Sequence, residues 1–124
     1  MLKRLLLSGV LIITAAALCI SSFLYIRFVS EDMLERTDRI LTLYENEEDF
    51  FYETKGLIDT WNDNSLLFGI VLKHTDADSL DRYFLMLEST LQEDNVTFIR
   101  TLRELRAFLK VCLDGEKPRA DNIF

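Results

Sequence analysis

Residues 5–26 read LLLSGVLIITAAALCISSFLYI, an uncharged run of 22 residues opened by Lys3-Arg4 and closed by Arg27. At about 1.5 Å of rise per residue, such a helix is roughly 33 Å long, enough to cross a bilayer core of about 30 Å. The run predicts a transmembrane anchor over residues 5–26, with a cytoplasmic tip of residues 1–4. A cleaved signal peptide is the competing reading, because Lys3-Arg4, the apolar stretch and Ala15-Ala16-Ala17 reproduce its three regions. Cleavage after Ala17 leaves Leu18-Cys19-Ile20 and Phe23-Leu24-Tyr25-Ile26 as an apolar stub with nothing to hold it, which favours retention. Leu18 also disfavours lipidation of Cys19, since a lipoprotein signal needs a small residue before the modified cysteine.

Charge near the two ends of the span bears on orientation. Lys3 and Arg4 lie on one side, and Arg27, Arg36 and Arg39 follow on the other, so the count alone is indecisive. A short basic N-terminus before an apolar span stays in the cytoplasm as a rule, which predicts an extracytoplasmic C-terminal domain at the cell membrane. All 21 Asp and Glu, and all but two of the 14 Lys and Arg, follow Ile26, a balance of about minus 9. Such a surface repels nucleic acid and anionic lipid, which argues against both as partners.

The chain after Ile26 reads as helix throughout. Gly56, Gly69 and Gly115 are its glycines and Pro118 its proline, too few turn residues for a strand-rich domain. Ile26, Val29, Met33, Thr37, Ile40 and Tyr44 recur at spacings of three and four, and Ser30-Glu31-Asp32 offers a helix start. No Gly or Pro interrupts residues 10–55, so the membrane helix is expected to run on as a rigid stalk. The acidic turn Glu45 to Asp49 ends this helix. Phe51, Thr54, Ile58, Trp61, Ser65, Phe68 and Leu72 mark a second from about Asp49 to Lys73, with Asn62-Asp63-Asn64-Ser65 as a candidate break.

Thr75-Asp76-Ala77-Asp78 supplies N-cap chemistry for a third helix striped by Leu80, Tyr83, Phe84, Leu87 and Leu91. A fourth carries Phe98, Leu102, Leu105, Leu109 and Cys112 inward and stops near Asp114-Gly115. The expectation is an all-α fold: the anchor, then a helical bundle over residues 27–114, then a flexible tail over 115–124. A match at an offset of 47 residues (Met33/Leu80, Ile40/Leu87, Tyr44/Leu91, Phe51/Phe98, Thr54/Thr101) suggests two helical hairpins, either duplicated or merely alike in pattern. Both readings lead to an up-down four-helix bundle or a minimal helical repeat.

Chemistry-bearing residues are few. His74 precedes Asp76 and Asp78, but at a helix start the two carboxylates have simpler work opposing the dipole, with His74 ending the preceding helix. With one histidine and no exported cysteine cluster, no metal site, cofactor or catalytic set is expected. The acidic turn lacks the twelve-residue calcium-loop pattern. Arg100, Arg103, Arg106 and Lys110 form a basic stripe that serves an anionic partner, the phosphates of a lipid surface, or the acidic flank of a neighbouring helix such as Glu45, Glu53 and Asp59. Phe50, Phe51 and Tyr52 cannot all point inward; with Phe51 on the inner stripe, Phe50 and Tyr52 become candidates for an exposed partner surface.

The membrane helix and acidic hairpin are followed by Trp61 with Ser65-Leu66-Leu67-Phe68, by His74 with Asp76 and Asp78, and by Leu102-Arg103-Glu104-Leu105-Arg106-Ala107-Phe108-Leu109. With these pieces the chain resembles, over nearly its full length, an uncharacterised family of spore-forming Gram-positive bacteria catalogued as domain of unknown function 4363. The Asn62-Asp63-Asn64 cluster departs from that pattern. The resemblance implies the same architecture and no particular activity, and it draws attention to Trp61 and His74.

Together these readings predict a single-pass module of the cell envelope, not an enzyme, that binds another envelope protein or self-associates. The alternative is a small-ligand or metal sensor built around Trp61, His74, Asp76 and Asp78.

Overall fold

The computed structural model describes residues 1–115 of the chain. They form four helices and no strand: α1 (Leu2–Glu45), α2 (Phe51–Val71), α3 (His74–Thr90) and α4 (Asn95–Gly115). Residues 116–124, most of the expected flexible tail, lie outside the described residues.

α1 runs 44 residues without interruption. Ser30-Glu31-Asp32 therefore starts no helix; Ser30 is a buried mid-helix residue, because Val29, Ser30 and Met33 all face the bundle. Ile26, Val29, Met33, Thr37 and Ile40 are buried, as their spacing predicts. Thr37 is accommodated there because its hydroxyl donates to the Leu34 carbonyl at 2.6 Å, so no polar group is stranded. Before this stripe the helix is bare: no residue from 2 to 21 is buried. That segment makes α1 long and apolar enough to cross a membrane.

A left-handed turn ends α1. Glu47 has φ 57°, its N–H donates to the Tyr44 carbonyl at 3.1 Å, and the Glu48 N–H donates to the Leu43 carbonyl at 2.8 Å. These two bonds satisfy carbonyls that the helix end leaves without partners, the work glycine usually does at this position. Asp49 Oδ1 then accepts the Phe51 N–H at 3.0 Å and opens α2.

α2 does not break at Asn62-Asp63-Asn64-Ser65. Asn64 donates to the Thr60 carbonyl at 2.7 Å and accepts the Tyr25 hydroxyl at 2.7 Å, so its amide bonds within the helix and to α1. α3 begins at His74, because the Asp76 and Ala77 N–H groups already close a turn on the Lys73 carbonyl. His74 thus opens α3 and does not end α2. No side chain caps α3, and Asp76 acts through its charge in the first turn. α4 is capped: Asp94 accepts the Thr97 hydroxyl at 2.6 Å and the Val96 and Thr97 N–H groups at 3.1 and 3.3 Å. The Thr97 hydroxyl, then the Thr97 N–H, hold the Asp94 carboxyl below the usual carboxylate range.

Each helix packs on two neighbours. α1 and α3 both lie against α2 and α4, while the diagonal pairs α1/α3 and α2/α4 make no Cα approach within 8 Å. Arg39 near Glu53 and Tyr25 near Asn64 set α1 antiparallel to α2, and Tyr44 beside Val96 and Ile99, with Phe23 beside Val111 and Cys112, sets it antiparallel to α4. This is the up-down four-helix bundle, two hairpins packed side by side. Met33, Ile40, Leu57, Leu80, Leu87, Leu102, Leu105 and Leu109 are fully buried at its centre. The offset of 47 recurs in detail: Thr54 and Thr101 are both buried, and each donates to the carbonyl four residues back at 2.8 Å.

Candidate functional site

The predicted site residues fall in three places: Trp61, His74 and Asp78 along the second half of α2 and the start of α3, Asp76 apart from them, and Phe50 and Tyr52 at the start of α2. Trp61 is 3 % exposed, its ring stacked on Phe84 (centroids 4.9 Å apart, planes at 2°) and set edge-on to Phe68 at 5.4 Å. Most of the indole is therefore core. What remains of it borders an open groove of about 450 Å³ between α2 and α3, with Leu66, Ile70, His74, Asp78 and Asp81 around it. His74 and Asp78 meet there because residues four apart share a helix face. Asp76, two residues from each, borders a separate groove with Phe23, Val71, Phe108 and Cys112. The structure thus brings together three of the four residues and sends Asp76 elsewhere. Among the described residues no group of three or more His, Cys, Asp or Glu is placed to hold a metal ion. The groove offers an apolar floor and an acidic rim, a combination that accepts an apolar group carrying a donor or a cation.

Leu66 and Ile70 had no place in the sequence-based site. They are 80 % and 73 % exposed, large apolar side chains turned away from the core. Their signal in the sequence is the i, i+4 spacing off the inner stripe.

At the other end of α2 the aromatics are arranged differently from the expectation. Phe50 lies just before the helix and packs inward, stacked on Phe98 at 5.4 Å and edge-on to Tyr44 at 6.0 Å. Phe51 is only half-buried, with the Lys55 amine 5.6 Å above its ring. The chain reaches Phe50 through the turn at the left-handed residue Glu47, and the ring ahead of the helix packs against the core. Phe50 is thereby removed from the candidate partner surface. Tyr52 stays on it, 81 % exposed, with Phe51 against its ring at 5.8 Å.

The basic stripe is partly used. Arg106 pairs with Asp38 of α1, not with Glu45, Glu53 or Asp59, and Glu53 faces Arg39 at 4.0 Å. Arg100 and Arg103 are exposed and border a groove with Tyr44, Val96 and Ile99. Exposed pairs of this kind add at most about 1 kcal/mol each and serve mainly to set register. No family model, no curated protein and no solved structure matches the chain.

Proposed function

We propose that the chain is a single-pass membrane protein whose acidic bundle is held at the membrane surface and binds another envelope protein or a second copy of itself, without enzymatic activity. The bare segment of α1 carries this reading. Residues 2–21 form one continuous, largely apolar helix that nothing else in the described chain covers. Transfer of apolar surface out of water is favoured by about 25 cal/mol per Å², and a bilayer of matching thickness accepts all of it. Lys3 and Arg4 favour a cytoplasmic N-terminus and an exported bundle. The reading does not rest on the resemblance to domain of unknown function 4363, which no family-model match supports.

Exposed Tyr52, with Phe51 against its ring and the exposed acids Glu48 and Asp49 shortly before it in the chain, is the partner surface we favour, an aromatic anchor in acidic surroundings. Protease added to intact, wall-stripped cells should digest the bundle, and alkaline washing should leave the chain in the membrane fraction. A protected bundle would reverse the orientation, and release by alkali would end the anchor reading. A small-ligand sensor is the second reading, favoured by the meeting of Trp61, His74 and Asp78 at one groove. His74→Ala with Asp78→Ala separates the two, since partner capture should survive that pair of changes.

A further inference from the structure

Ile26 ends the uncharged run and is also a fully buried residue of the bundle core. No linker therefore separates the apolar segment from the bundle, and no glycine or proline lies between Gly9 and Glu45 in α1 to bend it. The continuous helix is rigid, but no stalk lifts the bundle above its anchor.

The neighbouring helices reach past that boundary. Arg39 faces Glu53, and a Cβ at Gly56 would lie 2.9 Å from the Arg36 guanidinium, so α1 and α2 run in antiparallel register. Each residue further along α2 is then level with one residue earlier in α1. Carried down the pair, this register puts Leu66 level with about Ile26 and Ile70 roughly one helical turn deeper, near Ser22. An independent contact agrees: Phe23 borders a groove with Val71, Leu72 and Lys73. At this same level apolar and aromatic side chains alternate with the charged corner formed by Lys73, His74, Asp76 and Asp78. Leu24, Tyr25, Phe28, Leu66 and Ile70 are all exposed, and Lys73 lies at the corner between α2 and α3.

From this we propose that the α2–α3 corner of the bundle is seated in the interfacial layer of the bilayer, with Leu66 and Ile70 against lipid. The proposal rests on the reading of α1 as a membrane span. Tyr25 and Phe28 then occupy the interface where amphipathic and aromatic rings concentrate, and Lys73, His74, Asp76 and Asp78, which this register puts slightly deeper than Ile70, stay hydrated among the headgroups, so the corner enters the headgroup layer and not the hydrocarbon core. Seating of this kind fixes the tilt of the bundle. It leaves the Tyr52 end, about 25 to 30 Å further along α1, facing away from the membrane.

The test uses the full chain in phosphatidylcholine vesicles with or without brominated acyl chains. In a Trp61→Phe background, Ile70→Trp, Leu66→Trp, Leu11→Trp and Tyr52→Trp are compared, with helical content checked for each. The expected result is strong bromine quenching at Leu11, about twofold quenching with blue-shifted emission at Ile70 and Leu66, and none at Tyr52. Should the background fail to fold, Ile70→Trp in the native chain is read as added quenching over wild type. Quenching at Leu11 with none at Ile70 and Leu66 overturns the seating and leaves the anchor standing. No quenching at Leu11 removes the anchor, and the seating with it. Quenching at Tyr52 equal to that at Ile70 also overturns the proposal, because the bundle then meets lipid along its length.

Discussion

Phe50 lies nearly parallel to Phe98, ring centroids 5.4 Å apart and planes at 17°, so the connection between α1 and α2 is pinned to the start of α4. Tyr52, two residues on, is exposed. Phe50→Ser should therefore lower stability by about 1 to 3 kcal/mol, through lost burial and ring contact. Tyr52→Ser should stay within about 0.5 kcal/mol of wild type. Urea unfolding of the full chain in detergent micelles, followed by circular dichroism, checks both. Equal losses would mean that the two rings are equally buried.

Leu87 and Leu105 are fully buried in α3 and α4. Replacing either with Ala should cost about 2 to 5 kcal/mol, from lost transfer free energy and the cavity left behind. A domain of this size has only about 5 to 15 kcal/mol in total, so the shift in the urea midpoint should be large. Midpoints unchanged from wild type would contradict the packing of both helices.

Glu47 adopts φ 57°, a conformation in which a Cβ is strained by about 1 to 2 kcal/mol. Glu47→Gly should raise stability by about 1 kcal/mol, since glycine fits that backbone without a Cβ penalty and its greater unfolded-state entropy offsets only part of the gain. A destabilised variant would indicate that the Glu47 side chain holds the turn by another contact.

Asp94 tests the cap of α4 by pH. Its carboxyl is held below the usual range, chiefly by the Thr97 hydroxyl, so the folded-state pKa lies under the unfolded one. The stability it contributes is present above the unfolded value of about 3.9 and is lost as pH falls through the folded value. Asp94→Asn, which cannot titrate, should lose less stability between about pH 5 and pH 2 than wild type does. The readout is the urea midpoint across that range. Parallel acid slopes in the two proteins would dissociate Asp94 from the acid response.

The sequence by itself determined the helical class, the long uncharged N-terminal helix and most of the core. Ile26 to Ile40 in α1 and Phe98 to Leu109 in α4 recur at three and four, and a helix with one apolar face has only one way to bury it. Tertiary structure decided what depends on rotation and register between helices. Phe50, and not Phe51, packs against the core cluster through its stack on Phe98, after a turn whose left-handed residue is not a glycine. The Asn62-to-Ser65 cluster stayed helical, its Asn64 amide bonded to the Thr60 carbonyl and to Tyr25, 39 residues earlier. Arg106 found Asp38 across the α1–α4 contact, and His74 joined Trp61 and Asp78 at a groove while Asp76 turned to another. Local periodicity records which face of a helix is apolar. It carries no information on which residue of a distant helix lies opposite, and that register placed Ile70 below the level of Ile26.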